Sequence, residues 1–444
     1  MTDFWTSTLE ETVRTSGRLA RGPKRVRDVK DWLNCSEEGP TSTAQGTSNV
    51  PFQRWFHFKE AYSPKFVADT LGALPYKVGT CLDPFGGSGT TAVTCRMLGI
   101  GSTTIEINPY LADLTRAKLT PIGAAAFRRA YERKIASLRV KKVDWKVPSG
   151  MPLTMMEPGI DGRFVFPRDV FSTVRAIARV SENLDKAEAR LLRVLLGSVL
   201  VANSNVVING KGRRYRSRWE ERQKQGEDLI SALDCAVDTA VADLTMYGGL
   251  PRGQHRVLQG DTRTALSKVS SADVAIFSPP YPNSFDYTDV YNLELWMLGY
   301  LNSGSDNMAL RKRTLRSHVQ TKWHKTPRKA QSAKLDIVVK QLAKRRQELW
   351  NPNIPEMVAF YFDDLYKVFQ ELRRILAVGH HAIVAIGDSQ YAGILIDVGA
   401  ILVESIRPLG FRLTKRGAIR SMRNSSQHGG SFKLFEHCLV FERI

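Results

Sequence analysis

Cysteine is scarce in this chain, and the few cysteines lie far apart. There are five in 444 residues, and no two of them form a C-x-x-C pair. They are Cys35, Cys81, Cys95, Cys235 and Cys438. An odd number of dispersed thiols disfavours a disulfide framework and a structural zinc site. We therefore expect no metal centre and a reducing environment.

Long hydrophobic runs are also lacking. The most apolar stretch, residues 191–208, contains Arg193, Asn203 and Asn205 and follows a charged amphipathic segment. It predicts a buried helix rather than a membrane span. Residues 1–5 do not show the basic-then-apolar pattern of a secretory signal. We therefore expect a cytoplasmic protein.

Acidic residues are too few to balance the basic ones. The chain has 64 Lys and Arg against 44 Asp and Glu, which gives a formal net charge of +20. Such an excess favours a polyanionic partner, nucleic acid first. Residues 311–346 are the densest stretch, with thirteen Lys or Arg and one acid, Asp336. A solvated charged face is the alternative interpretation of this run.

A glycine-rich turn is the first motif that carries chemistry. It reads Asp83-Pro84-Phe85-Gly86-Gly87-Ser88-Gly89-Thr90-Thr91 and lies between a short apolar strand and a probable helix. Glycines allow a sharp turn and a close backbone approach to a ligand. Glu106 ends the next predicted strand, about twenty residues on, where a carboxylate would meet ribose hydroxyls. The pattern predicts a nucleoside ligand that bears an amino acid.

This turn has two alternative interpretations, a phosphate-binding loop and a tight turn without a ligand. A P-loop is disfavoured because the segment lacks the G-K-[ST] ending that places a lysine on a phosphate. A tight turn without a ligand is the remaining alternative. Asp261 follows a third predicted strand and could accept a hydrogen bond from an adenine amino group. It could equally be the N-cap of the segment that follows it.

The second motif reads Ser278-Pro279-Pro280-Tyr281 and follows the apolar strand 273–277. Ligands of open α/β sheets bind beyond the carboxyl ends of strands, so this loop is suitably placed. Two prolines remove amide donors and leave carbonyl oxygens free to accept. Ser278 and the Pro279 carbonyl could accept the two N–H bonds of a base amine, and Tyr281 could stack on the base. A surface S-P-P turn is the alternative.

These two motifs resemble those of the amino-methyltransferases that modify DNA at cytosine N4 or adenine N6. The likeness covers residues 51–120 and 250–444 in motif order and spacing. It implies an α/β fold: a Rossmann-like, seven-stranded core, dependent on S-adenosyl-L-methionine (SAM), with a terminal antiparallel hairpin and with helical and basic insertions. It also implies these cofactor-binding residues: Phe58, Asp83, Pro84, Phe85, Gly87, Ser88, Gly89, Thr90, Thr91, Glu106, Asn108 and Asp261. The implied catalytic residues are Ser278, Pro279, Pro280 and Tyr281.

The resemblance also bears on the target base and on partners. A serine in the first catalytic position is more typical of cytosine-N4 enzymes, which favours cytosine. The motif order is not the commonest one for serine-type members, because the catalytic motif here follows the SAM motif. Adenine-N6 methylation, RNA guanine-N2 methylation and a catalytically silent DNA-binding module stay open. Double-stranded DNA is the expected partner, and a restriction–modification or related defence system would add a cognate restriction endonuclease.

The organisation of the chain follows from these assignments. We divide it into an N-terminal extension (1–50), a SAM-binding half (51–120), a mainly helical insertion (121–250), a catalytic part (251–301), a basic insertion (302–355) and a C-terminal part (356–444). Both insertions leave the core at strand carboxyl ends and should flank the pocket. The nucleic-acid contacts predicted from them are Lys211, Arg213, Arg214, Arg216, Arg311, Lys312, Arg313 and Lys322.

Overall fold

The computed structural model describes residues 28–444, except 38, 40, 42, 59, 140–144, 210–211, 252, 322, 324–327 and 423–432. The predicted N-terminal extension therefore lies mostly outside the described residues. Lys211 and Lys322, two of the predicted nucleic-acid contacts, lie outside them as well.

The strands of the described residues form one large sheet and two small hairpins. They are β1 (Thr80–Asp83), β2 (Gly101–Glu106), β3 (Val206–Asn209), β4 (Gly212–Tyr215), β5 (His255–Gln259), β6 (Ala272–Phe277), β7 (Leu376–Gly387), β8 (Ser389–Tyr391), β9 (Ile394–Ile396), β10 (Phe411–Met422) and β11 (Leu434–Arg443). The large sheet has seven strands in the order β10-β11-β7-β6-β1-β2-β5, and the hairpins pair β3 with β4 and β8 with β9.

The helices of the described residues surround this sheet. They are α1 (Val29–Leu33), α2 (Pro64–Gly72), α3 (Thr90–Leu98), α4 (Pro109–Leu119), α5 (Ala124–Arg139), α6 (Arg168–Ser181), α7 (Lys186–Leu200), α8 (Gly226–Tyr247), α9 (Thr262–Ala265), α10 (Tyr287–Val290), α11 (Asn292–Met297), α12 (Gly304–Arg313), α13 (Ala333–Lys344), α14 (Ile354–Ile375) and α15 (Val398–Ile406). In the described part of the chain, none of them combines the length and apolarity needed to cross a membrane.

The pairing pattern of the large sheet confirms the predicted fold class. Five neighbouring strands, from β7 through β6, β1 and β2 to β5, pair in parallel. Strand β11 then inserts antiparallel between β7 and β10, so the expected terminal strand pair is present. The architecture is a Rossmann-like α/β fold with a seven-stranded sheet. The chain reverses its direction of strand addition between β1 and β6, which is where open α/β sheets bind ligands.

The helical insertion packs into one core with the segment that precedes β1. Helix α7 has buried Leu191 and Leu195 and belongs to this core, as predicted from its sequence. Asp243 of α8 is fully buried and accepts hydrogen bonds from the Phe52 backbone N–H at 2.8 Å and the Trp55 indole N–H at 2.9 Å. It also pairs with Arg54 at 2.5 Å. One carboxylate therefore fixes the path by which the chain approaches the glycine-rich turn.

Candidate active site

A cavity of about 330 Å³ opens at the carboxyl edge of the parallel strands. Gly86, Gly87 and Ser88 of the glycine-rich turn line it on one side. The whole Ser278–Tyr281 loop lines it on the other. The two motifs are nearly two hundred positions apart in sequence, and adjacent strands β1 and β6 deliver both to the same cleft.

The glycine-rich turn needs its glycines for two different reasons. Gly87 and Gly89 have φ angles of +51° and +84°, a region that side chains with a Cβ rarely adopt. Space is also lacking. A Cβ on Gly89 would lie 2.7 Å from Thr115 Oγ1, and one on Gly86 would lie 2.1 Å from Thr104 Cγ2. Gly89 is also the N-cap of α3, so the turn leads directly into a helix N-terminus.

Glu106 joins this turn to the end of β2. Its two carboxylate oxygens accept hydrogen bonds from the backbone N–H groups of Gly87 and Asn108, both at 2.7 Å. Burial raises the pKa of Glu106 to about 7, although these two N–H groups oppose the shift. The side chain lines the cavity. Each carboxylate oxygen can accept more than one hydrogen bond, so Glu106 retains capacity for a ligand hydroxyl.

Asp83 has a supporting position beneath the turn. It is buried, accepts the Phe85 backbone N–H at 2.9 Å and the Tyr62 hydroxyl at 3.1 Å, and does not line the cavity. Burial raises its pKa to about 6. Gly89 and Thr91 likewise lie outside the cavity lining, whereas the other predicted cofactor-binding residues belong to it. These are Phe58, Pro84, Phe85, Gly87, Ser88, Thr90, Glu106, Asn108 and Asp261.

The lining residues fit a nucleoside that bears an amino acid. The carbonyl oxygen of the Asn108 side chain caps α4 by accepting the Tyr110 backbone N–H at 2.9 Å. Its amide nitrogen is buried at the cavity and has no hydrogen-bond partner in the described structure. An orphaned buried donor beside the Glu106 acceptor suits a polar ligand, since unsatisfied buried polar groups are costly. Phe58 supplies an apolar wall, its ring 3.0 Å from where a Gly87 Cβ would stand.

Asp261 combines a capping role with a place in the cavity wall. It accepts the Arg263 backbone N–H at 2.9 Å as the N-cap of α9, and its carboxylate pairs with the Arg263 guanidinium at 2.7 Å. Arg263 continues to the fully buried Asp364 at 2.8 Å. The N-cap that the sequence offered as an alternative is therefore present. Asp261 still lines the cavity, so its contact with an adenine remains a prediction.

The Pro-Pro loop is tied to the terminal hairpin by side-chain hydrogen bonds. Ser278 Oγ lies 3.2 Å from Tyr281 Oη, and Tyr281 Oη donates to the carboxylate of Glu436 on β11. Arg420 of β10 binds the other oxygen of Glu436 at 2.7 Å. Burial, followed by the Glu436 carboxylate, raises the pKa of Tyr281 well above its ordinary value. Neither Glu436 nor Arg420 could be identified as a site residue from sequence, because neither belongs to a motif.

Aromatic side chains connect the two halves of the cavity. The Phe58 ring stacks on Tyr291 with centroids 5.2 Å apart, and the Tyr291 hydroxyl donates to Glu60 at 2.6 Å. Phe285 and Tyr287 form an edge-on pair at 4.6 Å and both line the cavity. The polar and aromatic run that follows the Pro-Pro loop therefore forms part of the cavity wall. The contact of Tyr291 with Phe58 could not be found from sequence.

Part of the basic insertion is buried in the same site. Leu315, Ser317 and His318 are at most 5% exposed and line the cavity. The Ser317 carbonyl accepts the Ser284 backbone N–H at 3.0 Å. Ser284 has a φ of +58°, so this contact stabilises a strained residue between the cavity-lining residues Asn283 and Phe285. The charge of this insertion predicts contacts with DNA beside the pocket, but charge could not predict that the middle of the insertion is buried.

The predicted nucleic-acid contacts differ in their solvent exposure and in their bonds to other residues of the chain. Arg213 and Arg214 of β4 are exposed, as are Lys312 and Arg313 at the end of α12, and Arg313 also lines the cavity. Arg216 instead donates to the backbone carbonyls of Ser204 and Val201. Arg311 binds Asp286 at 2.6 Å and pairs with Asp289, and its side chain is only 14% exposed. These two arginines stabilise the fold.

The chain is similar to known proteins along most of its length. It is 25% identical over 464 aligned residues to the Type II methyltransferase M.BsoBI of Geobacillus stearothermophilus, covering 92% of this chain and 89% of that protein. It is 26% identical over 441 residues to the Type II methyltransferase M.AvaI of Nostoc sp., with the same two coverages. M.AvaI of Anabaena variabilis gives the same values.

Two further comparisons add less. No family model matches the chain. Among solved structures, the rRNA methyltransferase aviRa from Streptomyces viridochromogenes aligns over 86% of this chain and 85% of its own, at 11% identity. Its TM-score of 0.27 is too low to support an argument about fold or function.

Proposed function

We propose that this chain is a site-specific DNA methyltransferase that transfers a methyl group from SAM to the N4 amine of cytosine. The observation that carries the proposal is the shared cavity, in which Gly87 and Ser278 face one ligand space. The similarity to Type II methyltransferases over 92% of the chain supports it. A restriction–modification system with a cognate endonuclease is the corresponding biological setting.

SAM, when bound, supplies an electrophilic methyl group on a sulfonium sulfur. The chain would hold it through Glu106 at the ribose and Asn108 at a polar group, with Phe58 against its apolar part. The helix that begins after Gly89 presents backbone N–H groups that favour the carboxylate of the amino acid. Asp83 would act indirectly, because its hydrogen bonds shape the turn without reaching the cavity.

The catalytic loop would hold the base. The amine of cytosine is a weak nucleophile because its lone pair is delocalised into the ring. Ser278 Oγ and the Pro279 carbonyl would accept its two N–H bonds and favour a nitrogen whose lone pair points at the methyl group. Tyr281 would support the base with its ring. A base in a duplex cannot reach this cavity, so it would be flipped out at a cost of a few kcal/mol.

We propose that the β3–β4 hairpin is the part of the helical insertion that contacts DNA. Its β4 strand packs against α10, which begins six residues after Tyr281. Arg213 lies close enough to Asp289 of α10 to act electrostatically on that carboxylate. The exposed Arg213 and Arg214 are therefore near the catalytic loop, where the phosphates that flank an extruded base would lie. Lys312 and Arg313 would contact the backbone from the other insertion.

Nucleoside mass spectrometry on treated DNA tests the proposal. Purified protein is incubated with SAM and unmodified DNA, and the DNA is digested to nucleosides. We expect N4-methylcytosine, and mapping of the modified positions should return one short recognition sequence. Detection of N6-methyladenine instead would reject cytosine as the target and support the alternative, adenine-N6 methylation. Absence of either product, or methylation of RNA guanine only, would reject it.

Ser278→Ala is the matched variant for this experiment. Removing the hydroxyl deletes one acceptor of the target amine but touches no residue of the glycine-rich turn. We expect product formation to fall by at least about 100-fold, as for removal of one transition-state hydrogen bond in a water-excluded site. SAM affinity, measured by isothermal titration calorimetry, should stay within about threefold. Loss of SAM binding in this variant would contradict the assignment of the Pro-Pro loop to the base and of the glycine-rich turn to SAM.

A further inference from the structure

A chain of hydrogen bonds runs from the catalytic loop into the terminal hairpin. Ser278 Oγ contacts Tyr281 Oη at 3.2 Å, Tyr281 contacts Glu436, and Glu436 contacts Arg420 at 2.7 Å. Glu436 is 2% exposed and stands on β11, opposite Gly387 of β7. We call Ser278, Tyr281 and Glu436 the hydroxyl relay.

The direction of each hydrogen bond in the hydroxyl relay follows from what each group can donate. A carboxylate beside an arginine accepts and has no proton to give. Tyr281 has a single proton, and the raised pKa of its hydroxyl keeps it protonated, so that proton goes to Glu436. The Tyr281 oxygen is left as an acceptor. The proton of Ser278 therefore points to Tyr281, and the lone pairs of Ser278 remain for the cavity.

We propose that Glu436 is a positioning residue that acts through Tyr281 to hold Ser278 as a hydrogen-bond acceptor for the target amine. The same relay then removes the proton that the amine loses. The proposal deepens the proposed function, on which it rests, by assigning the group that determines the state of Ser278. It places Tyr281 in the reaction through its hydroxyl as well as its ring.

The proton transfer balances within these three side chains. After methyl transfer the amine nitrogen carries a positive charge and one proton more than the product. That proton moves to Ser278 Oγ as the Ser278 proton moves to Tyr281 Oη and the Tyr281 proton moves to Glu436. The product is neutral, Glu436 is protonated, and no other reactant is required. Glu436 then releases its proton to solvent. The route passes Arg420, because the side chain of Arg420 contacts Glu436 and is 33% exposed.

An acceptor-only Ser278 also discriminates between bases. A cytosine presents an amine at C4, whereas thymine and uracil present a carbonyl oxygen that needs a donor. With its proton directed at Tyr281, Ser278 has nothing to donate to that oxygen. Two acceptors facing each other would be desolvated without a hydrogen bond, which is costly. The relay thus selects an exocyclic amine before any chemistry takes place.

Four variants on the mapped DNA site test the relay. Tyr281→Phe keeps the ring and removes only the hydroxyl. Glu436→Ala removes the acceptor, Glu436→Gln keeps an acceptor oxygen without the charge, and Glu442→Gln is the control. Glu442 lies on the same strand and also pairs with an arginine of β10, Arg412 at 2.7 Å, but it does not line the cavity. Thermal unfolding of all four identifies any variant that fails to fold.

The first readout is the single-turnover rate with SAM and DNA saturating. We expect Tyr281→Phe and Glu436→Ala to be about 100-fold slower and Glu436→Gln about 10-fold slower, within the range for proton transfer and orientation by one side chain. Glu442→Gln should match wild type, and the KM for SAM should change less than threefold in all four variants. A Tyr281→Phe variant within threefold of the wild-type rate would overturn the proposal.

The second readout needs neither SAM nor turnover. Duplexes carry cytosine or pyrimidin-2-one, which lacks the amine, at the target position, and their equilibrium affinities are compared. Wild type should prefer cytosine about 100-fold, because the amine donates two hydrogen bonds of about 1.4 kcal/mol each. Tyr281→Phe should reduce this preference to about 10-fold, because Ser278 is then free to rotate while the Pro279 carbonyl still accepts. A Tyr281→Phe variant that keeps the full wild-type preference would overturn the relay. A wild type that methylates no DNA would instead reject the proposed function.

Discussion

Glu106 Oε2 accepts a hydrogen bond from the backbone N–H of Gly87 at 2.7 Å. The end of β2 and the turn after β1 are therefore one rigid unit, held by a carboxylate that also faces the cavity. The turn does not depend on a ligand to define its path. A preformed site of this kind loses little conformational entropy when a ligand binds.

Gly89→Ala should strongly weaken SAM binding while the protein stays folded. Its φ of +84° and the 2.7 Å approach of a Cβ to Thr115 Oγ1 oppose any side chain at this position. The start of α3 would shift, and affinity measured by calorimetry should fall at least about 30-fold, about 2 kcal/mol. Gly417→Ala is the control, because a Cβ there meets no atom within 4 Å. Equal SAM affinity in the two variants would contradict the prediction.

Glu106 should make the free energy of unfolding depend on pH. Its pKa is raised from 4.5 to about 7 by burial, so the folded protein keeps a proton that the unfolded chain has already released. Stability from this residue is therefore greatest below pH 4.5 and is lost as pH rises to about 7. Relative to wild type, Glu106→Gln should gain about 3 kcal/mol between these limits.

Urea unfolding at several pH values between 5 and 8 measures this difference. The wild-type and Glu106→Gln curves should diverge as pH rises, whereas a Glu220→Gln control, exposed at the surface, should run parallel to wild type. Parallel curves for Glu106→Gln would show that the folded-state pKa of this carboxyl is not raised. The comparison uses differences between variants, so other titrating groups largely cancel.

Asp243→Ala should be strongly destabilising. The carboxylate satisfies the Phe52 and Trp55 N–H groups and pairs with Arg54, all in a buried position. Its loss leaves two buried donors unsatisfied, at a cost of about 3 kcal/mol or more. Asp238→Ala is the control on the same helix, since Asp238 is 56% exposed in its pair with Arg128 and should cost less than about 1 kcal/mol. Denaturant midpoints that shift equally would refute the role of Asp243.

Replacing Arg213 and Arg214 together with Ala should weaken DNA binding and flatten its salt dependence. Each lost phosphate contact lowers the slope of log K against log salt by about 0.9. We therefore expect the magnitude of this slope to decrease by up to about 1.8 for the double variant. The slope is measured by fluorescence-anisotropy titrations at about 50 to 200 mM salt. The control is Lys268→Ala with Arg373→Ala. Both are exposed and precede β6 and β7, at the edge of the sheet opposite the cavity. If the slope falls equally in both double variants, the β3–β4 hairpin does not contact DNA in the way that we propose.

The sequence was sufficient for the parts of the site that are local in the chain. The glycine-rich turn, Glu106 and the Pro-Pro loop each follow a short strand, and the strand alternation already implied that the carboxyl ends meet. The fold class and the terminal hairpin were predicted from the resemblance that the two motifs carry. Asn108 is among the cofactor contacts that the resemblance implies, but its unpaired amide could not be predicted from sequence.

The contacts that depend on packing between distant segments could not be predicted. Glu436 reaches Tyr281 only because β11 inserts between β10 and β7, a pairing that no motif encodes. Arg316 was counted among the surface charges of the basic insertion, yet it is buried against Asp364 at 2.7 Å. Charge density alone does not separate arginines that face solvent from those paired internally, because both arise from the same composition.

The stack of Phe58 on Tyr291 joins the two halves of the cavity. Phe58 borders the glycine-rich turn, and Tyr291 follows the loop that would grip the base. A group that fills the space beside Gly87 would contact Phe58, whose ring is stacked on Tyr291. Occupation of one half of the cavity would then act on the wall of the other half through this ring pair. Such coupling is the physical basis of sequential kinetics, in which the first substrate prepares the site for the second.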